Sequence, residues 1–247
     1  MVILKILTMQ KNQTRQPREP SPGPSIASAF RVGRTVGILL LCQLAAALTL
    51  PFILSKPITV GSPAYLTAVA GYTTQIRLSV LLSFVGSALT VYLGIVAYPV
   101  FRRYSQALAQ LFLVVCAISC TLDVVQAGTI LSMLAISKEF QGSGADPVLY
   151  RVVSAAVASA RRSAHITQLL AIAGWMSVFY ISLFRFKLIP RALAAVGLLG
   201  VTLQFIGVTL MMLLGSRAIG EMAMPLLPIQ ITVAVWLIIK GFREPVG

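Results

Sequence analysis

The segment 108–136, LAQLFLVVCAISCTLDVVQAGTILSMLAI, decides the fold of this chain, because it stays apolar over more than the thickness of a membrane. About 20 apolar residues in a helix cross the roughly 30 Å hydrocarbon core of a bilayer. Asp123 is the only charged side chain in the segment. A backbone in lipid satisfies its own amides only in a helix or a closed barrel, so this segment predicts a transmembrane helix.

Five further apolar stretches flank this segment along the chain, and each has about the length of a membrane-spanning helix. Pro225 and Pro228 fall in the first half of the last stretch. Because proline removes a backbone donor and kinks a helix, we predict that the final helix is short or broken. The six predicted spans are 35–54, 78–98, 108–136, 164–184, 192–214 and 218–239.

The composition excludes a soluble globular domain. Hydrophobic residues make up 57% of the 247 residues and charged residues only 11%, whereas soluble domains carry about 25% charged residues. We predict an all-α fold, a polytopic membrane helix bundle of about six transmembrane helices in one domain over 35–243. Residues 1–34 form a basic cytoplasmic tail that is too polar to build a core, so we expect disorder there. A start at Met1 or at Met9 stays open.

The net charge of +14 is interpreted as a signal of topology. Lys and Arg are enriched in loops that stay in the cytoplasm, so the side that carries more of them is predicted to be cytoplasmic. We expect both termini on that side, in a multi-pass protein of the cell membrane whose partner is the lipid bilayer. The chain has no aromatic and basic module typical of nucleic-acid binding, so we expect no nucleic-acid partner. The basic residues of the short cytoplasmic loops are Arg102, Arg103, Arg185, Lys187 and Arg191.

The longest connection, 137–163, is predicted to be an extracytoplasmic loop followed by a helix extension. The stretch from Lys138 to Asp146 contains Gly and Ser in a pattern that predicts a loop. Asp146-Pro147 predicts a helix start, with Asp as N-cap and Pro at the first helical position. A helix from Pro147 through the fourth span would have about 38 residues, or roughly 57 Å, so part of it must stand outside the bilayer.

Asp123 is the clearest candidate for a functional residue, because charged groups inside a bilayer are rare and often functional. It lies about 15 residues, or roughly 23 Å, into its span, which places it in the outer half of the membrane. We hypothesise that it pairs with Arg77 or Arg161 and that polar residues of four helices converge on an extracytoplasmic-side cavity. The candidate cavity residues are Asp123, Gln126, Arg77, His165, Gln168, Arg161 and Glu221, with Gln43, Gln204 and Gln230 as the floor.

A structural interpretation stays open beside this functional one. Asp123 bound to an arginine would fix the helix register without any activity, and His165 would be an ordinary interfacial residue. Arg161 would be solvated at the membrane surface, Glu221 would be a loop carboxylate, and the mid-span glutamines would bond between helices. Four small residues are predicted to be helix-packing positions: Ser83, Ser87, Gly197 and Gly200.

The sequence predicts no cofactor and no metal. Cys42, Cys116 and Cys120 all lie in apolar stretches and are interpreted as free, packed thiols. His165 is the only histidine, so too few ligands are present for a zinc site and no HExxH motif exists. The chain has no phosphate-binding glycine loop before a helix. The Gly-Ser-Gly at 142–144 lacks the strand–turn–helix context of a nucleophile elbow.

Four short segments spread along the chain carry a resemblance to a known family. They are Gln75-Ile76-Arg77, Tyr98-Pro99, Ile189-Pro190-Arg191 and Trp236-Leu237-Ile238-Ile239-Lys240-Gly241. On these segments the chain resembles the bacterial multi-pass membrane family of domain of unknown function 4386, over roughly 31–243. The resemblance implies an integral membrane protein of six to seven helices, and it implies no reaction and no ligand.

Three functions stay open, and the sequence leaves undecided whether the protein is an enzyme. The first is a non-catalytic membrane component with a polar extracytoplasmic-side cavity, with a homo-oligomer and a small hydrophobic or lipid ligand left open. The second is a small transporter or permease-like protein, which polar mid-membrane residues and a proline-broken helix favour. The third is a membrane-embedded enzyme acting on a lipid or isoprenoid, with Asp123 or Glu221 as an intramembrane carboxylic acid.

Overall fold

The computed structural model of the protein describes residues 26–54, 65–143, 146–215 and 222–243, and the regular structure within them is helical, without a strand. The helices are α1 (Ile26–Leu54), α2 (Tyr65–Ala68), α3 (Thr73–Tyr104), α4 (Gln106–Ser143), α5 (Pro147–Arg185), α6 (Arg191–Leu214) and α7 (Leu226–Lys240). A 3₁₀ turn at Val69–Tyr72 joins α2 to α3.

Five of these helices, α1, α3, α4, α5 and α6, are long and apolar enough to cross a membrane. Helix α7 has 15 residues, or roughly 22 Å, which is shorter than a full span. Large apolar side chains such as Leu81, Phe84 and Leu199 lie more than half exposed on the long helices, as side chains that face lipid do. The predicted all-α polytopic bundle is confirmed, and the chain is a multi-pass membrane protein.

The long helices and α7 pack in a closed ring, which we call the helix ring. Helices that follow one another in the chain are neighbours, from α3 through α4, α5 and α6 to α7. Helix α7 returns to α1, and α1 packs against α3, so that the ring closes. At the seam between α1 and α7, Gly33 approaches the backbone at Gly241 and Phe242, and Gly37 approaches the backbone of Ala234. Glycine permits this approach because it has no Cβ.

Two apolar clusters fill opposite ends of the helix ring. In the aromatic cluster, the ring of Phe101 lies 5.3 to 6.3 Å from four other phenylalanine rings, centroid to centroid. The members of this aromatic cluster are Phe101, Phe112, Phe179, Phe186 and Phe242. The members of the second, which we call the Tyr65 cluster, are Tyr65, Leu66, Val69, Ile76, Ile130, Met133, Leu134 and Ala158. The middle of the bundle lies between them.

Helix α5 runs without a break from Pro147 through the predicted fourth span to Arg185. It has 39 residues, and the side chain of Asp146 accepts a hydrogen bond of 2.8 Å from the Val148 backbone N–H as its N-cap. The predicted loop from Lys138 is wrong as far as Ser143, because α4 continues to that residue. Two side chains from the part of α4 beyond residue 136 form hydrogen bonds with α2. Ser137 donates to the Leu66 carbonyl at 2.7 Å, and Gln141 donates to the Thr67 carbonyl at 2.9 Å.

The two ends of the bundle differ from the predicted tail and last span. Helix α1 begins at Ile26, so 26–34 is helical rather than disordered. Ala29 and Gly33 are buried there, and the chain at Gly241 and Phe242 packs against Gly33. The rest of the predicted tail, 1–25, lies outside the described residues, and so does 216–221. Helix α7 begins after Pro225, in agreement with the short final helix that the prolines predict.

Candidate functional site

Asp123 joins three helices at the middle of the bundle. The Ser87 hydroxyl on α3 donates to Asp123 Oδ2 at 2.6 Å. The Gln168 amide on α5 donates to Asp123 Oδ1. Both carboxylate oxygens are therefore held by neutral donors. These two hydrogen bonds tie α4 to α3 and to α5, so Asp123 fixes the relative positions of the three helices.

His165 extends these contacts along α5 and back to α4. Its Nδ1 lies 3.3 Å from Gln126 Oε1 and 3.3 Å from Gln168 Oε1. Because both neighbours are carbonyl oxygens, the hydrogen-bond pattern assigns the proton to Nδ1. The chain of contacts runs from Asp123 through Gln168 and His165 to Gln126. We call Ser87, Asp123, Gln126, His165 and Gln168 together the polar network.

The polar network occupies the layer between the two apolar clusters. On α4, for example, Asp123 and Gln126 lie between Cys116 of the core around the aromatic cluster and Ile130 of the Tyr65 cluster. On α5, His165 and Gln168 lie between Ala158 of the Tyr65 cluster and Trp175 of the core around the aromatic cluster. A polar group in a dry layer costs free energy unless it is hydrogen-bonded, which explains why these side chains bond to one another.

The seven predicted cavity residues fall into three groups. Asp123, Gln126, His165 and Gln168 meet in the polar network. Arg161 lies one turn before His165 on α5 and is buried, with 7% of its surface exposed. Arg77 is exposed near the start of α3, apart from this site, and Glu221 lies outside the described residues.

The predicted ion pair of Asp123 with Arg77 or Arg161 is not formed, because Ser87 and Gln168 hold the carboxylate. Depth along the helices explains this difference. Arg77 lies about 15 Å before Ser87 along α3, and Arg161 about 10 Å before Gln168 along α5, at 1.5 Å per residue. Both arginines are thus nearer the Tyr65 cluster than Asp123 is.

A cavity of about 210 Å³ opens beside the polar network between α1, α5, α6 and α7. The three glutamines predicted as a floor all line it: Gln43, Gln204 and Gln230. Gln43 donates from Nε2 to Thr90 Oγ1 at 2.6 Å, and Gln230 reaches Met176 Sδ at 3.3 Å. We call this space the glutamine cavity. Its other lining residues are Leu40, Leu44, Ala47, Ile172, Trp175, Met176, Ala223, Leu226 and Leu227.

Two side chains in the wall of the glutamine cavity carry buried polar atoms without a hydrogen-bond partner among the described residues. They are Nε1 of Trp175 and Oε1 of Gln204. Trp175 is 2% exposed and Gln204 is 7% exposed. An indole N–H is a donor only and an amide oxygen an acceptor only, so these two lining residues hold one unused donor and one unused acceptor.

The glutamine cavity and the polar network are one helical turn apart along α5. Ile172, in the cavity wall, follows Gln168 of the network by one turn of α5. On α3, Thr90 follows Ser87 by one turn, and Thr90 accepts the hydrogen bond from Gln43.

Sequence reasoning missed Ser87 as a partner of Asp123 and Trp175 as a cavity residue. Ser87 was predicted only as a packing position, although its place near the middle of a span matches the depth of Asp123. Trp175 lies on an apolar helix and gives no sequence signal for an unpartnered N–H. The three cysteines are free as predicted, but Cys42 is exposed rather than packed. In the described parts of the chain, no three His, Cys, Asp or Glu side chains come together to hold a metal ion.

Comparison with known proteins gives one match. The sequence profile described as Domain of unknown function (DUF4386) matches residues 35–241, which is most of the chain. No curated protein and no solved structure matches it. The match confirms the resemblance found on the four short segments, and its description names no activity.

Proposed function

We propose that this chain, which belongs to the family of domain of unknown function 4386, is a non-catalytic membrane component that holds a small neutral molecule in the glutamine cavity. The polar network next to the cavity holds the walls in position. In this proposal Asp123 is a positioning residue, because both of its oxygens bind neutral donors of neighbouring helices.

The observation that carries the proposal is the pair of unpartnered atoms in the cavity wall, Trp175 Nε1 and Gln204 Oε1. A buried polar atom without a partner costs about 1 to 3 kcal/mol. A molecule that supplies one acceptor and one donor would satisfy both atoms. The free energy lost in the empty protein would then contribute to binding.

The lining restricts the class of ligand. All of the described residues that line the glutamine cavity are uncharged, and among them a charged ligand would lose its hydration without gaining a counter-ion. An apolar cavity of about 150 Å³ takes up benzene, and the glutamine cavity is larger at about 210 Å³. We infer that it fits a ring-sized neutral molecule with one polar substituent, such as an amide.

Thermal unfolding of the detergent-purified chain with benzamide as the probe tests this proposal. Benzamide should raise the melting temperature in a concentration-dependent way, and benzoate and benzylamine should not. Trp175→Phe and Gln204→Leu should each reduce the benzamide effect. Thr202→Val is the matched control, because Thr202 is exposed on α6 close to Gln204. An equal benzamide effect in wild type and both cavity variants, or none in any protein, would contradict a ligand site.

A small transporter or permease is the second candidate, and one observation favours it. Helix α7 is too short for a full span and begins between Pro225 and Pro228, and it forms one wall of the glutamine cavity. Interrupted helices of this kind line substrate sites in many transporters. Flux of benzamide into liposomes that is lost in Asp123→Asn would support transport. Flux equal to that of empty liposomes would contradict it.

The proposal places the protein in the cell membrane with both termini in the cytoplasm. Arg102, Arg103, Arg185, Lys187 and Arg191 are all exposed at the end of the bundle that holds the aromatic cluster, and basic loops favour the cytoplasmic side. A fluorescent protein fused after α7 should therefore be bright in cells. Alkaline phosphatase fused at the same point should be inactive. An active alkaline phosphatase fusion would contradict the proposed orientation.

A further inference from the structure

Arg161 is a buried cation for which the described part of the chain provides no counter-ion. The chain has 20 basic and only 6 acidic residues. Three of the acidic residues lie in the described parts. Asp123 is held in the polar network, Glu139 is exposed on α4, and Asp146 caps α5. Nε and Nη1 of Arg161 are enclosed and have no hydrogen-bond partner among the described residues.

The contrast with Arg162 shows that the burial of Arg161 is specific to its side of α5. Arg162 is exposed, whereas Arg161 is only 7% exposed. A guanidinium stays charged at all pH values that proteins tolerate, so Arg161 cannot escape the cost of burial by losing its proton. Burying a charge without a partner is costly, because the charge loses its hydration and gains nothing in exchange. The fold therefore holds a strong binding determinant for an anion that comes from outside the described chain.

The depth of Arg161 indicates the source of that anion. Arg161 precedes the end of α5 at Arg185 by about 24 residues, or roughly 36 Å of helix. The hydrocarbon core measures about 30 Å and the bilayer with its head groups about 40 to 45 Å. With Arg185 at one surface, Arg161 lies at the head-group level of the other, where lipid phosphates are found.

We propose that Arg161 binds the phosphate group of an anionic lipid, seated where α5 leaves the hydrocarbon core. A guanidinium offers planar paired donors that match two phosphate oxygens. Ala158, one turn before Arg161, belongs to the Tyr65 cluster, and His165, one turn after it, belongs to the polar network. A bound lipid would thus connect the membrane surface to the network through α5. This site is separate from the glutamine cavity and does not depend on a ligand there.

Thermal unfolding of the full chain in detergent, with three additives, tests the proposal. The additives are phosphatidylglycerol, a diacylglycerol with the same acyl chains, and inorganic phosphate. Arg161→Met removes the charge at similar volume, Arg161→Gln is a second uncharged variant, and Arg162→Gln is the matched control on the exposed neighbour. Without additive, Arg161→Met should melt at or above the wild-type temperature, because it removes an unpaired buried charge.

Phosphatidylglycerol should stabilise the wild type and Arg162→Gln. Its apparent Kd should be weaker by about tenfold or more in both Arg161 variants, as expected for the loss of a hydrogen-bonded charge pair. Diacylglycerol should have no such effect. Stabilisation by phosphatidylglycerol but not by inorganic phosphate assigns the site to a lipid, and stabilisation by both assigns it to phosphate itself.

Two results would overturn the inference. One is equal stabilisation of wild type and Arg161 variants by phosphatidylglycerol. The other is a large loss of stability in Arg161→Met without additive, which would mean that the chain itself satisfies the guanidinium. If Arg161→Met does not purify, Arg161→Gln answers the same question. The benzamide effect should survive in either variant, so failure of this inference is distinguishable from failure of the proposed cavity ligand.

Discussion

Substitution of Gly37 by alanine should open the seam between α1 and α7. A Cβ at position 37 would lie 2.6 Å from the Ala234 carbonyl oxygen, 2.9 Å from Ile238 Cγ1 and 3.0 Å from the Ile238 backbone nitrogen. These distances fall about 0.5 to 0.9 Å short of the roughly 3.5 Å that suits non-bonded atoms. Two of the three atoms belong to the backbone, so relief requires movement of a whole helix. Overpacking of this kind costs about 2 kcal/mol.

The assay is thermal unfolding of the detergent-purified protein, with Gly128→Ala as the control. A destabilisation of about 2 kcal/mol lowers the melting temperature of a chain of this size by about 4 to 8 °C. At Gly128 an added Cβ meets no atom of the described residues within 4 Å. Alanine there should be neutral or stabilise by up to about 1 kcal/mol, because it restricts the unfolded chain. Gly37→Ala melting at or above the wild-type temperature would refute the close seam.

Substitutions at three further positions test the polar network, the N-cap of α5 and the Tyr65 cluster. Asp123→Ala should lower the free energy of unfolding by about 2 kcal/mol, because the Gln168 amide loses its acceptor. Asp123→Asn should lower the free energy of unfolding by less, and equal losses in the two variants would refute this reasoning. Asp146→Ala should cost about 1 kcal/mol through the lost N-cap, with α5 fraying visible in amide exchange before Tyr150. Burial raises the pKa of Tyr65 above its usual 10.0, and the protonated hydroxyl donates a hydrogen bond to the Ser154 carbonyl. The stability that Tyr65 contributes in this form is complete below pH 10.0. It is lost as the pH rises further, because the hydroxyl then loses its proton. Tyr65→Phe should remove that loss in a pH series of melting temperatures.

Apolar length predicted the spans because it depends on the chain alone. A helix in lipid satisfies its amides locally, so the segment 108–136 needs no knowledge of its neighbours to become α4. The Asp146-Pro147 helix start is local in the same way. The extension of α4 to Ser143 depends instead on hydrogen bonds to α2, about 70 residues earlier in the chain. No pattern within the segment itself contains that information.

The candidate site was predictable in depth but not in pairing. Four of the predicted residues meet in the polar network, because polar side chains at similar depth in a membrane form hydrogen bonds with one another. The hydrogen-bond partners of Asp123 were not predicted, because an arginine was expected where Ser87 and the Gln168 amide bind the carboxylate. Helical rise alone separates Arg77 from the level of Asp123, so a depth comparison with Ser87 would have corrected the pairing. The unpartnered N–H of Trp175 is found only from the structure, because the apolar sequence around Trp175 does not indicate it.

The closure of the helix ring by α7 has a consequence for biogenesis. Gly37 leaves the ribosome roughly 200 residues before Ala234, its contact across the seam. At 5 to 20 residues per second, α1 therefore waits for about 10 to 40 seconds in the membrane with its glycine face uncovered. During that interval the face is available to an insertase or to a helix of a neighbouring nascent chain. Among the described helices, α1 is thus synthesised first but meets its last neighbour only when α7 is complete.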